Sequence, residues 1–154
     1  MPIFTPETRK GNHFIAPVGT RRAVCVDVID NGMKDTDWGE KHKITMVWEV
    51  DATVEHAQYA ITVRKPYTLS LHEKSSLGKD LGRWLKGNLA DKPFDVEEMI
   101  GKSCQLIVTH KLSSNGKTYA NVEMVMPLEA NMLDMQASGT YVRFQDRPVD
   151  DTRI

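Results

Sequence analysis

Apolar and polar residues alternate along most of the chain, and the alternation predicts strands before any single residue suggests a chemistry. From Val18 to Ile29, Val24, Val26 and Val28 fall on one face and Ala23, Cys25 and Ile29 on the other. That pattern suits a long, curved first strand covered on both sides. Asp30-Asn31-Gly32 reads as a turn, and residues 33–42 (MKDTDWGEKH) as a polar loop around one aromatic, Trp38. Trp38 is expected to clamp the loop, with an exposed stacking surface as the second reading. Residues 43–50 alternate cleanly, with Ile44, Met46, Trp48 and Val50 inward and Lys43, Thr45, Val47 and Glu49 outward. A third run covers 58–71, with Pro66 forcing a bend or an edge position because it has no N–H for a ladder.

The period then changes. Leu77, Leu81, Trp84 and Leu85 lie at i, i+4, i+7 and i+8, one stripe of a helix capped by Ser75 or Ser76 and stopped at Gly87-Asn88. Asp95 is expected to cap a short helical turn over 93–100. Alternation returns in two arms, Cys104-Leu106-Val108 and Ala120-Val122-Met124-Met126, around Ser113-Ser114-Asn115-Gly116. Asn-Gly tolerates the positive φ angles of a tight hairpin. The order is three strands, a helix and a closing hairpin. It predicts a mostly β fold: a five-stranded OB-fold barrel with one helix between strands 3 and 4. Its expected divisions are an N-terminal arm at 1–16, the barrel at 17–128 and a C-terminal extension at 129–154, partly mobile: LEANMLDMQ reads as a short helix, and the end from Ser138 as polar and mobile apart from a short strand at Tyr141–Phe144.

Composition narrows the class. The 154 residues are 40% apolar and 27% charged, a globular balance, with no apolar run long enough to span a bilayer. The start, MPIFTPETRKGNHF, has no apolar stretch behind a basic one, so a cytoplasmic protein is expected. A formal charge of −1 means that any anion-binding surface must gather its cations locally. Cys25 and Cys104 sit within apolar strands and read as buried free thiols.

Catalytic signatures are few. The five histidines are scattered and neither cysteine has a partner at zinc-ligand spacing, so no metal and no cofactor is expected. Gly78-Lys79 and Gly101-Lys102 lack the lead-in of a phosphate loop, and no nucleophile elbow occurs. A binding surface is the better expectation. In an OB barrel the ligand crosses strands 2 and 3 between the loops joining strands 1–2 and 4–5. The first loop offers Lys34, Trp38 and Lys41, the second Lys111 and Lys117, and the outward strand faces Lys43, Arg64, Lys65, Tyr67 and Tyr119. Cations interleaved with aromatics suit single-stranded nucleic acid, through phosphate contacts and base stacking.

Tyr67–Ser75 (YTLSLHEKS), followed by Leu77 and Lys79-Asp80-Leu81, and Asn115–Asn121 (NGKTYAN) carry a resemblance. Over Ala16 to Leu128 the chain resembles small proteins of bacteriophage and prophage replication and recombination modules, sometimes treated as single-stranded-DNA-binding-like. The resemblance implies an OB fold, a bacterial host cell, single-stranded DNA as partner, and recombination or replication proteins as further partners. The terminal Pro-Phe with which bacterial single-strand binding proteins recruit partners has no counterpart in DRPVDDTRI. A non-catalytic DNA-binding protein is therefore expected. A phage recombinase or polymerase adaptor and a nucleic-acid-processing enzyme are the alternatives, and homo-oligomerisation is left open.

Overall fold

The computed structural model describes residues 15–52, 60–72, 74–86 and 94–147. Most of the expected N-terminal arm, the expected helix stop at Gly87-Asn88 and the chain end from residue 148 lie outside the described residues.

One antiparallel five-stranded sheet forms the body. Its strands are β1 (Gly19–Thr36), β2 (Gly39–Val50), β3 (Thr62–Thr68), β4 (Ser103–Leu112) and β5 (Thr118–Met126), in the spatial order β3-β2-β1-β4-β5. β1 is central and long enough to serve two neighbours in succession. Its first part, Gly19–Val24, pairs with β4, and Ala23–Thr36 pairs with β2. The helix α1 (Ser76–Leu85) follows β3, and a 3-10 turn (Val96–Met99) precedes β4. Among the described residues no helix is long and apolar enough to cross a membrane.

The expected closed barrel is not formed. β3 and β5 are the two edges of the sheet, close to one another but joined by no ladder. Side chains from α1 span the gap instead. Asp80, only 2% exposed, accepts hydrogen bonds from Lys65 Nζ (2.8 Å) and Tyr67 Oη (2.7 Å) on β3, and from Arg83 one turn along the helix. Arg83 Nε in turn donates to the Val125 carbonyl of β5 at 3.1 Å. A buried carboxylate is tolerable only with its charge paired and its lone pairs occupied, and here three donors supply that.

Local signals start α1 where the sequence places it. The Ser75 hydroxyl accepts from Gly78 N at 3.0 Å, satisfying one of the free N–H groups of the first turn. The end comes earlier than Gly87: Lys86 itself adopts the left-handed cap (φ 57°) and donates its N–H to the Gly82 carbonyl. Gly78 is required by a close approach, since a Cβ there would stand 2.0 Å from the His72 carbonyl oxygen.

The stripe Leu77, Leu81 and Trp84 enters the main core between the sheet and α1, where Trp84 lies 6.2 Å from Trp48 between ring centroids. Burial of these side chains stabilises the fold at roughly 25 cal/mol per Å² of apolar surface. Inward positions on β2 are Ile44, Met46, Trp48 and Val50, as the alternation predicts. On β1 and β5 the alternation breaks. A bulge between Cys25 and Asp27 makes Val26 an extra residue, so Ala23, Cys25 and Val28 face the main core while Val24, Val26 and Ile29 face away. A second irregularity opposite Ile107 and Val108 leaves Val122 and Val125 inward and turns Met124 outward. Each extra residue reverses the phase of everything after it.

The face of β1 and β2 turned away from α1 is not bare either. Residues 128–147 cross it as an irregular strap, ending in a 3-10 turn (Phe144–Asp146) where a short strand was expected. Met135 and Tyr141 cover Val24, Val26, Ile29 and Val47. Two carboxylates, each 1% exposed, bolt the strap down. Asp27 accepts from Tyr141 Oη (2.7 Å), Arg143 Nε (3.0 Å) and Phe144 N (2.8 Å). Glu49 accepts from Ser138 N (2.8 Å) and Ser138 Oγ (3.0 Å). This part of the expected extension packs as a layer on the sheet, without the short helix expected over LEANMLDMQ.

Candidate nucleic-acid interface

Residues 33–42 are not a loop. The Asp30-Asn31-Gly32 signal is real, but Gly32 uses its positive φ (74°) in a bulge between Asp30 and Gly32 instead of a turn. The chain therefore runs on in register to Thr36 and returns from Gly39 as a two-stranded ribbon. Among the described residues no third strand pairs with it beyond Lys43, the last β2 residue in register with β3, past which Leu69 N donates to the His42 carbonyl at 2.7 Å. At its tip Thr36 Oγ1 donates to the Gly39 carbonyl (2.6 Å) and accepts from Trp38 N (3.1 Å). This tight turn throws the Trp38 indole into solvent, 86% exposed, so Trp38 clamps nothing.

Register sorts the ribbon's charges by face. Lys34 stands directly across from Lys41. Lys43, two residues along β2 from Lys41, shares that face, because side chains repeat their side every second residue. The same outward face of the sheet carries Thr45 and then Val47, whose partner on β3 is the exposed Arg64. On the opposite face of the ribbon lie Asp30, Asp35, Glu40 and His42, with Asp35 across from Glu40. His42 Nε2 and Asp30 Oδ1 are 2.6 Å apart, and this bond holds the Asp30 carboxyl below the usual carboxylate range. Like charges directly opposite one another destabilise a strand pair, by roughly 0.2–1 kcal/mol on the scale of such pairs. The ribbon does this twice, once with each sign. Among the described residues, no carboxylate lies within ion-pair distance of Lys34, Lys41 or Arg64, and Lys43 Nζ donates to Thr68 Oγ1 at 2.5 Å.

Not every expected residue joins this face. Tyr67 is 3% exposed, opposite Ile44 on the inward side, and its hydroxyl is bound to Asp80. Burial, with Asp80 beside it, drives that hydroxyl far above the ordinary phenol range, so Tyr67 is core and cannot stack on a base. Lys65 faces inward as well and is paired with Asp80 at 2.8 Å. Lys111 and Tyr119 are cross-strand partners on β4 and β5, near Lys117 in the hairpin turn. β4 is antiparallel to β1 and continues past Gly19, so this hairpin leaves the sheet at the end of β1 opposite the ribbon. Lys111 Nζ lies 3.5 Å from Glu123, which also accepts from Asn121 (2.9 Å) and Thr109 (3.3 Å).

The strap and its anchors escaped sequence reasoning. Arg143 bridges Asp27 and Glu97 at 3.0 and 3.1 Å, and the bond to Glu97 followed by that to Asp27 raises its guanidinium pKa. Tyr141, half-buried, has its hydroxyl pushed above the usual range by burial and by Asp27. The available signal was Glu49 in an outward position of an otherwise buried strand. The thiols of Cys25 and Cys104 are buried and unreactive; burial pushes Cys25 up to about 12 and Cys104 well above its ordinary value.

No protein-family model matches the chain, and no curated protein matches it in sequence.

Proposed function

We propose that this chain is a non-catalytic single-stranded DNA-binding protein that holds the strand along the basic face of the β1–β2 ribbon. The observation that carries the reading is Lys34 set directly across from Lys41, with Lys43 next on the same face. Three cations in that arrangement raise the energy of the free protein and lower it once phosphates lie between them. Trp38 at the tip offers a base-stacking surface, and Arg64 prolongs the track onto β3. From Lys41 to Thr45, before Val47 passes under the strap, the path along β2 is about 13 Å at roughly 3.3 Å per residue. That belongs to the short end of the ~4–16 nucleotides covered by an OB fold.

An OB-type barrel with an open seam is the fold reading that accompanies this proposal. It is supported by a central β1 flanked by β2 and β4, by the approach of β3 to β5, and by α1 lying across that approach. The resemblance at Tyr67–Ser75 and Asn115–Asn121 favours a phage replication or recombination setting in a bacterial cytoplasm.

Fluorescence anisotropy of a labelled oligo-dT across a salt series tests the proposal. Four phosphate contacts, by Lys34, Lys41, Lys43 and Arg64, predict a slope of log K against log salt of about −3, at roughly −0.7 per contact on a single strand. Duplex DNA should compete poorly. No binding at low salt, or binding indifferent to salt, sinks the reading. A recombinase or polymerase adaptor would then be the function to pursue, starting from the exposed Leu112 and Leu133.

A further inference from the structure

The ribbon past Lys43 has two faces of opposite sign, one with Lys34, Lys41 and Lys43, the other with Asp30, Asp35 and Glu40. Both are open to solvent at the outer end, where Lys34, Lys41, Asp35 and Glu40 are all exposed. Asp30 is bonded to His42, but among the described residues no cation lies within ion-pair distance of Asp35 or Glu40. Within one chain the two faces cannot meet, since successive side chains point to opposite sides of the strand pair. A second copy removes that restriction. Asp35 stands across from Glu40 as Lys34 stands across from Lys41, so both pairs have the same span, about 4.5–5.5 Å between Cβ atoms. An acidic pair therefore matches a basic pair charge for charge when one ribbon lies on another. Sheet faces stack about 10 Å apart, a separation that a lysine and a carboxylate side chain bridge together. Met33, 56% exposed beside the acidic pair, and Trp38 at the tip add apolar surface for such a contact to take out of water. Each like-charge pair, unfavourable in the single chain, gains a partner in the stack.

We infer that copies of this chain associate ribbon on ribbon, the acidic face of one covering the basic face of the next, and that this contact masks the basic face until a nucleic-acid strand displaces it. The contact stands on charge and register alone, whereas its displacement rests on the ribbon reading above. Unlike faces meet, so the interface is heterologous and each contact leaves one unmatched face of each sign.

Sedimentation velocity of the full chain tests the contact at about 0.01 M and about 1 M salt, between which the screening length falls from about 30 Å to about 3 Å. The wild type should sediment as species larger than the monomer at the lower salt and as the monomer at the higher. Asp35→Lys with Glu40→Lys makes both faces basic, and Lys34→Glu with Lys41→Glu makes both acidic. Each double variant should be monomeric alone, and an equimolar mixture should associate again, because only the mixture holds faces of both signs. A wild type that stays monomeric at low salt overturns the inference, and so does a double variant that self-associates as the wild type does. Where circular dichroism shows a reversed variant unfolded, Asp35→Asn with Glu40→Gln or Lys34→Gln with Lys41→Gln takes its place, and undiminished association there overturns the contact. Labelled short oligo-dT, followed in the same runs, should break the wild-type assembly into single chains on the oligonucleotide. Oligo-dT bound to an intact assembly refutes the masking. Association without any oligo-dT binding confirms the contact and overturns both its displacement and the DNA reading.

Discussion

Two hairpins leave this sheet at opposite ends of β1, and each combines lysines with an exposed aromatic. They differ in how the charge is arranged. In the β4–β5 hairpin, Lys111 has Glu123 at 3.5 Å, and Thr109, Asn121 and Glu123 bond to one another. There Lys111 has a carboxylate within reach, across the strand pair. In the β1–β2 ribbon the signs are separated, Lys34 facing Lys41 on one side and Asp35 facing Glu40 on the other. A pair of strands gains nothing from such segregation and loses some stability by it. Composition alone made the two hairpins equivalent candidates, whereas cross-strand register sets two cations directly opposite one another in the ribbon and none opposite one another in the β4–β5 hairpin.

The comparison can be broken at several points. Reversing Lys34→Glu and Lys41→Glu together should have the largest effect, reducing oligo-dT affinity on the order of 100-fold, as each site exchanges a phosphate contact for a repulsion. The matched double change Lys111→Glu and Lys117→Glu should cost far less, and equal losses would erase the distinction between the hairpins. Trp38→Ala comes next: removing one stacked base costs about 1–3 kcal/mol, measured by the same titration, while Tyr119→Ala should stay within about twofold of wild type. Lys34→Glu alone should separate stability from binding. It creates an opposite-charge pair with Lys41, so thermal or urea unfolding should show a gain of about 0.2–1 kcal/mol while DNA binding weakens. The smallest effect concerns the ribbon's acidic face. The His42 bond depresses the Asp30 pKa, so its contribution to stability is present above the ordinary carboxylate range and fades as pH falls through the lowered value. An NMR titration of Asp30 that returns an ordinary carboxylate value would remove that bond from the account.

Much of the architecture could be read in advance. Strand order, the α1 stripe, the Ser75 cap, the Asn115-Gly116 turn and the edge position of β3 at Pro66 all follow from local rules, and the structure has each of them. Alternation misled at Val26 and near Glu123, because a bulge inserts one residue and reverses the faces downstream, and nothing in the apolar pattern marks the insertion. The same cause hid the ribbon: Asp30-Asn31-Gly32 has turn chemistry, and only pairing beyond it shows a bulge. Lys34, Lys41, Lys43, Arg64 and Trp38 were legible as candidates because charge and aromaticity are visible in sequence. Tyr67 and Lys65 were misassigned because their partner, Asp80, lies on another element, and no spacing rule connects a helix carboxylate with a strand phenol. The strap was illegible for the same reason: its order comes from Asp27 and Glu49, roughly ninety to a hundred and fifteen residues away.

A sheet whose two edges meet through a helix, and not through a ladder, has a weak line built into it. Backbone amides of β1 lie between two hydrogen-bonded neighbours, whereas β3 and β5 each keep one side without a ladder, where hydrogen bonds of Asp80 and Arg83 make the link. Hydrogen exchange should therefore divide the molecule unequally. Amides of α1, β3 and β5 should exchange together, through a shared opening that lets α1 swing out and leaves β1, β2 and β4 paired. Deuterium uptake would then trace the outline of that opening, with Lys65, Tyr67 and Arg83 losing their common anchor in one step.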